Sequence, residues 1–532
     1  MEVDALPIWW SVLFIGVSSL VMKLLNKFWF EPRRIRTVLS KQGIRGPPPT
    51  FLLGNVSEMQ KIQSALINNT HEALDSHRHL NHNWLPFVFP HIYEWAKEYG
   101  PIFMYSTGVN HHLYVSDPEL LMEIKQNNSL NLGKPPYLGK PLQPLLGDGL
   151  IRSNGEKWAV QRNLLAPEFF LAKVKGMVGV MVESTTSMIN TWDCRILESK
   201  SGIVDMEVDD ELKTLSADII SRACFGSSHS FGNQILEKIA QMVDILGKPS
   251  LLYGFLDFSW VLPNKKLWNL RKEVDFMLLK LVRDRQVKRQ SGAATENDLL
   301  QMLLDIASTN TTDIPTRRRE AFILDNCRTI YFASSVATSL TASWTLVLLS
   351  QHPEWQDRIR AEIVEVCGGP DKLHHCLRNP DVLRKFKVLT MVIQESMRLY
   401  ASAVLLVRAA LENVKLGNLD VPKGTIIQVC SATLHRDPEN WGPDADEFKP
   451  ERFANGISNA CKHPQAYVPF GFGHRVCIGQ TFAITQLKIE LSLILSKFAF
   501  SLSPNYRHAP SHKMLLMPKH GIRLLVKPVQ AG

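Results

Sequence analysis

Ten residues constrain this chain more than any other stretch: Phe470-Gly471-Phe472-Gly473-His474-Arg475-Val476-Cys477-Ile478-Gly479, followed directly by helical apolar periodicity over 479–497. Glycines let a loop backbone approach a flat ligand closely. A helix start just after Cys477 brings amide donors that favour a thiolate over a thiol. A buried cysteine in an apolar loop is ordinarily inert packing, so the cysteine carries no argument without its surroundings.

Those surroundings are those of one large folding unit. The chain has 532 residues, with no internal repeat and no Gly/Ser-rich break. Its 45% apolar and 21% charged residues exclude a mainly disordered protein. The formal charge of +9 is concentrated early: residues 1–45 hold seven Lys and Arg against three Asp and Glu. That placement fits a basic collar beside a membrane and argues against a nucleic-acid face. The cysteines at 194, 224, 327, 367, 376, 430, 461 and 477 are scattered, with no CxxC. No disulfide framework is expected, and a reducing compartment fits. Sequons at Asn68, Asn127 and Asn310 carry little weight, because such triplets arise by chance.

Leu6 to Met22 is uncharged and mostly apolar, with Trp9 and Trp10 at one end and Lys23 and Lys27 closing the other. It reaches the lower length limit for spanning a bilayer, and Leu24, Leu25 and Phe28-Trp29-Phe30 extend it if the lysines snorkel. Glu2 and Asp4, the missing positive n-region and the lack of an A-x-A-like site oppose a cleaved signal peptide. The collar is expected to stay cytosolic, with the N-terminus lumenal. Residues 1–45 therefore read as anchor and collar, and 46–532 as the main folded body. Gly46-Pro47-Pro48-Pro49 between them is a stiff linker.

Ile102–Tyr105 and His112–Val115 read as short strands around a Gly108-Val109-Asn110 turn. Helical periodicity runs through 156–195, 205–225, 233–246, 265–290, 317–351, 353–367, 385–400 and 479–497. Val407–Leu434 has the β-branched content and Gly punctuation of short strands. The fold class is mainly α with small β-sheets.

The cysteine loop resembles the cytochrome P-450 signature F-x-x-G-x-R-x-C-x-G at every fixed position, and the resemblance extends over most of 46–532. It implies haem b between a distal helix and the cysteine loop, with Cys477 as the iron ligand and Phe470 and Gly479 of the loop among the cofactor-binding residues. A thiolate on haem iron pushes electron density toward a distal dioxygen. Arg475 lies where a cation neutralises a propionate. Trp158 and Arg162, at i,i+4 in Gly155–Arg162, resemble the family's W-x-x-x-R propionate helix. Arg408, ten residues after Arg398, falls where the family often has another propionate partner, although the usual Pro-Pro between them reads Ala401-Ser402. Glu395-Ser396-Met397-Arg398 and Pro450-Glu451-Arg452-Phe453 resemble the family's structural ion network. Ala217–Arg222, Phe225–Ser228, Val261–Lys265 and His352–Gln356 resemble a plant branch acting on terpenoid and steroid-like molecules. Its gibberellin-oxidising subgroup is the nearest reading.

One segment departs from the family. The distal helix ordinarily carries [AG]-G-x-[DE]-T-[TS], whose acid–alcohol pair relays protons. Here the same frame reads Ala333-Ser334-Ser335-Val336-Ala337-Thr338, and neither Val336 nor Ala337 can donate. Ser334 and Thr338 keep hydroxyls and become the candidate catalytic residues. The resemblance thus implies NADPH-dependent monooxygenation of a hydrophobic small molecule, fed by an NADPH-cytochrome reductase. It places the chain as a single-pass protein of the endoplasmic reticulum membrane, with a cytosolic catalytic domain. Oxygen-independent isomerisation or dehydration, and a poorly active haem protein that binds a ligand, stay open.

Overall fold

The computed structural model describes residues 6–69, 80, 82–127, 129–226, 229–247, 265–291, 298–308 and 318–529. Asn128, Ser227, Ser228, Val261–Asn264 and the sequon at Asn310 lie outside the described residues.

Helix α1 (Leu6–Leu25) continues through one π-helical turn, Asn26–Phe30, into α2 (Glu31–Lys41). Trp10, Phe14, Ile15 and Leu20 of α1 all project from the body, so among the described residues nothing covers the apolar face. A helix apolar all round and left uncovered suits lipid. The basic helix α2 behaves differently: Ile35 and Leu39 bury against Met104, and Gln42 exchanges two hydrogen bonds with the Asp420 backbone. Arg36 also donates to the Gly46 carbonyl at 3.1 Å. The collar is therefore seated on the body, while its arginines Arg33 and Arg34 stay exposed.

Strands β1 (Ile102–Thr107) and β2 (Asn110–Val115) form the expected hairpin, in register Ile102 to Val115 and Thr107 to Asn110. They begin a five-stranded sheet completed by β3 (Leu132–Gly133), β4 (Leu405–Ala410) and β5 (Thr425–Cys430), in the order β1-β2-β5-β4-β3. Only β2 and β5 run parallel. This sheet carries Arg408 to the edge of the helical core.

That core is built from α3 (Gly155–Leu165), α4 (Leu171–Glu198), α5 (Val208–Phe225), α6 (Arg319–Gln351), α7 (Pro353–Cys367), α8 (Lys387–Leu399) and α9 (Gln480–Lys497). Helix α6 contains neither Gly nor Pro, which lets it run 33 residues unbroken. Its most apolar window matches that of the N-terminal helix in hydropathy, but 78% of it is buried against 0% for the N-terminal one. Of these two helices, the N-terminal one is thus left with an uncovered apolar face. Helix α9 starts at Gly479 and packs against α4, α6 and α7, so it fixes the cysteine loop from behind.

The expected helix over 156–195 is two helices, because Pro167 starts a 3-10 turn, Ala166–Phe169, between α3 and α4. The helix expected from 205 begins only at Val208, since Val204–Glu207 is a strand paired with Arg523–Val526. One disulfide, Cys367–Cys376, spans nine residues after α7. It is a local clasp, and Cys194, Cys224, Cys327, Cys430, Cys461 and Cys477 remain thiols.

Candidate active site

The cysteine loop turns back on itself through two backbone bonds, Cys477 N–H to Phe470 O at 2.9 Å and Val476 N–H to Gly473 O at 3.0 Å. Gly471 and Gly473 hold φ of +80° and +65°, which side-chain-bearing residues rarely adopt. Gly479 lies beside the thiol, where a Cβ would sit 3.9 Å from the Cys477 sulfur, in ordinary van der Waals contact. Burial pushes the Cys477 thiol up, while the Gly479 amide and Arg162 pull it down. A cation at the sulfur would tip that balance to thiolate.

Cys477 opens into a cavity of about 370 Å³. Its walls include Trp158, Arg162, Arg408, Phe470, Arg475, Gly479, Ser334 and Thr338, so every site residue expected from the sequence lies on one cavity. Arg162, Arg408 and Arg475 come from α3, β4 and the loop. Lys134, which sequence reasoning did not single out, is a fourth cation there.

These four cations determine what the cavity can hold. None forms an ion pair with a carboxylate among the described residues. Arg162 donates to Val476 O at 2.8 Å, Arg408 to Phe472 O at 3.1 Å, and Arg475 to Ser153 O and Asn154 Oδ1 at 3.0 Å. The Nε of Arg475 is buried with no partner. Burial, reinforced by one another's charge, lowers Arg475 to about 9 and brings Lys134 well below the ordinary lysine value. Trp158 caps the group, with the Arg475 guanidinium 4.4 Å over its ring and Arg162 at 5.7 Å. Buried cations without counter-charge are costly, and a bound dianion relieves the cost. Two propionates beside a flat macrocycle, with its iron at Cys477, meet that requirement: haem fits the residues present.

A second network holds the loop from the side away from the cavity. Arg398 and Glu395 are fully buried, joined at 2.7 and 2.8 Å. All five Arg398 N–H groups are used: two on Glu395 and one each on His435 O, Ala445 O and Glu447 O. Arg452 adds its charge 3.6 Å from Glu395. His435 accepts from Val468 N–H at 2.9 Å, which leaves its Nδ1 proton for Arg398 O. Burial lowers this histidine to about 3, so it stays neutral. Val468 O in turn accepts from Gly471 N–H, and the network reaches the first turn of the cysteine loop.

Across the cavity, α6 presents Ala333, Ser334, Ala337, Thr338 and Thr341. The helix has nine Ser and Thr residues, and eight donate to a carbonyl three or four residues back: Thr329, Ser334, Ser335, Ser339, Thr341, Ser343, Thr345 and Ser350. Ser334 is held in this way on Ile330 O at 2.6 Å. Thr338 is the ninth, and its hydroxyl has no protein partner among the described residues. Ser402 faces α6 from the segment after α8, also on the cavity wall. Sequence reasoning passed over Lys134, Thr341 and Ser402; the Ser402 signal was visible only as an interrupted Pro-Pro.

A family model described as Cytochrome P450 matches residues 45–526. Cytochrome P450 714A2 of Arabidopsis thaliana is 42% identical over 529 residues, 97% of this chain and 98% of the relative. Cytochrome P450 714C2 of Oryza sativa subsp. japonica is 43% identical over 502 residues, 94% of each chain. Cytochrome P450 714B3 of Zea mays is 40% identical over 526 residues, 98% of this chain and 96% of the relative.

Proposed function

Since the chain belongs to the cytochrome P450 family, we propose that it inserts one oxygen atom from dioxygen into a hydrophobic, terpenoid molecule of gibberellin-like size. It is a monooxygenase oxidoreductase that uses haem b, with electrons from NADPH delivered through a reductase. Bound haem supplies the dioxygen chemistry, and a thiolate ligand favours O–O cleavage.

The chain's own residues are assigned as follows. Cys477 holds the iron through its sulfur. Arg162, Arg408, Arg475 and Trp158 hold the propionates, and Lys134 joins them. Phe470 and Gly479 shape the loop at the sulfur. Thr338 offers its unpartnered hydroxyl to the cavity, and Ser334, while donating to Ile330 O, accepts from a water. Apolar walls at Leu150, Ile330, Leu406 and Phe482 take up a hydrophobic substrate and exclude water. The observation that carries the reading is the group of unpaired cations facing Cys477 on one cavity.

The uncovered helix α1 supports a single pass through the endoplasmic reticulum membrane, with residues 46–532 on the cytosolic side and an NADPH-cytochrome reductase as the electron source. Endoglycosidase treatment is expected to leave the chain's mobility unchanged, since Asn68, Asn127 and Asn310 then never meet the lumen; a shift reverses the topology.

The absence of an acid–alcohol pair at Val336 and Ala337 favours a second reading, isomerisation or dehydration without external oxygen. Microsomes carrying the chain and a plant reductase, supplied with a panel of terpenoid acids, separate the two. The first reading requires product that depends on NADPH and oxygen and carries one atom of labelled oxygen. Product formed without either establishes the second. NADPH-independent binding with no product leaves a ligand-binding haem protein.

A further inference from the structure

Two hydroxyls meet at one carbonyl on the cavity wall. Ser402 Oγ donates to Ala337 O at 3.0 Å, Thr341 Oγ1 reaches the same oxygen at 3.0 Å, and the two hydroxyls are 3.2 Å apart. Both residues line the cavity. The helical N–H of Thr341 already takes one lone pair of Ala337 O, which leaves that oxygen one good position for a hydroxyl. Two hydroxyl protons therefore compete for one acceptor. The proton that loses goes to the other hydroxyl or into the cavity.

No other pair on this wall is arranged in this way. Seven further α6 hydroxyls each have a carbonyl of their own, and withdrawing one leaves a bond unmade. The surplus donor at Ala337 can turn toward the cavity at little cost. Thr338 stands three residues before Thr341 on the same helix face, so its free hydroxyl extends the path. The pair converges on residue 337, whose methyl side chain cannot itself move a proton.

We propose that Ser402 and Thr341 form a two-hydroxyl proton shuttle into the cavity at Ala337. One hydroxyl gives its proton to the oxygen being reduced. It is reprotonated by the second, which takes a proton from water, so both hydroxyls end unchanged and one water-borne proton has moved. Electrons come from NADPH through the reductase. The shuttle rests on the monooxygenase reading, and it makes Ser402 a catalytic residue supplied from outside α6.

The test uses full-length protein with haem bound. The first readout needs no turnover: the infrared stretch of carbon monoxide on the reduced protein, which responds to hydrogen-bond donors turned into the cavity. Ser402→Ala and Thr341→Val are expected to shift that band, and Ser402→Thr to keep it near its wild-type position. The second readout is the partition of NADPH between product and hydrogen peroxide. Each of the first two variants should lower product per NADPH by at least about tenfold, less than the roughly hundredfold at the low end of general-acid catalysis because the remaining hydroxyl still donates. Each should also reduce the solvent deuterium isotope effect, and Ser402→Thr should restore both. A band unmoved in both Ser402→Ala and Thr341→Val overturns the shuttle whatever the activity. A wild type that makes no oxygen-dependent product overturns the monooxygenase reading, and the carbon monoxide band still decides whether the pair faces the cavity.

Discussion

The two faces of the cavity solve opposite problems. Behind the cysteine loop the backbone is over-determined: Arg398 satisfies all five of its donors, and His435 passes that order to Val468 and so to the loop. On the α6 side, the polar groups at Ala337 are under-determined, with two hydroxyls for one acceptor. The first face is built to stay still and the second has a proton to spare. Rigidity where a metal is held and freedom where protons move suit a haem enzyme.

The largest effect to be expected comes from removing the sulfur. Cys477→Ala should abolish thiolate ligation, because no neighbouring side chain offers a soft anionic ligand. The reduced, carbon-monoxide-bound spectrum should lose its thiolate-type Soret band. If wild type and variant gave the same band, another cysteine would be the ligand, and the contrast between the two faces would lose its anchor.

Next comes the network behind the loop. Arg398→Ala leaves the buried Glu395 with the Lys449 N–H at 2.8 Å and the more distant Arg452 as partners, and breaking a buried pair typically costs about 3–5 kcal/mol. Thermal unfolding of the variant should shift down by many degrees, and the loop should release haem. Arg398→Lys should rescue little, because an ammonium cannot reproduce the five-donor fork. A variant that kept full haem content would show that the loop orders itself.

The difference between the faces also explains what the sequence disclosed. The cysteine side is local in the chain: glycine, arginine and cysteine lie within ten residues, and Glu395 and Arg398 within one helical turn. Long unbroken helices such as α6 and α9 were legible through apolar period and the absence of Gly and Pro. The Pro167 break between α3 and α4 was locally encoded but outweighed by apolar period on either side. Val204–Glu207 was not legible, because a four-residue strand depends on a partner more than 300 residues away. The same applies to Ser402 and Lys134. Ser402 acquires meaning only when the chain after α8 returns to α6, and Lys134 only when β3 lies beside β4.

Lys134 offers a smaller effect of opposite sign on two measurements. Its burial among Arg408 and Arg475 penalises the charged ammonium until a dianion arrives. Lys134→Met should therefore stabilise the haem-free protein toward denaturant while weakening haem retention by about tenfold, in line with the loss of one buried charge partner. Haem transfer to apomyoglobin measures the second quantity. A variant that retained haem as well as wild type would remove Lys134 from the propionate group.

The smallest effect at the haem concerns a buried carboxyl of the helix that follows the cysteine loop. Glu490 of α9 accepts from Gln486 at 3.2 Å, but its other oxygen is buried without a partner, and burial raises the carboxyl from 4.5 to about 8. The unfolded chain releases this proton near pH 4.5 and the folded chain only near pH 8. Between those values the folded state binds more protons, so stability falls as pH rises through the window and levels off above it. The slope cannot exceed about 1.4 kcal/mol per pH unit for a single proton. Glu490→Gln, which keeps the shape and is neutral throughout, should match wild type below pH 4.5 and become progressively more stable from there to pH 8. Urea unfolding across that range measures it, with the thiolate-type spectrum unchanged because Glu490 does not line the cavity. Parallel curves for wild type and variant would mean that Glu490 is already ionised in the fold, and that the helix behind the cysteine loop holds a buried negative charge as the cavity wall holds its positive ones.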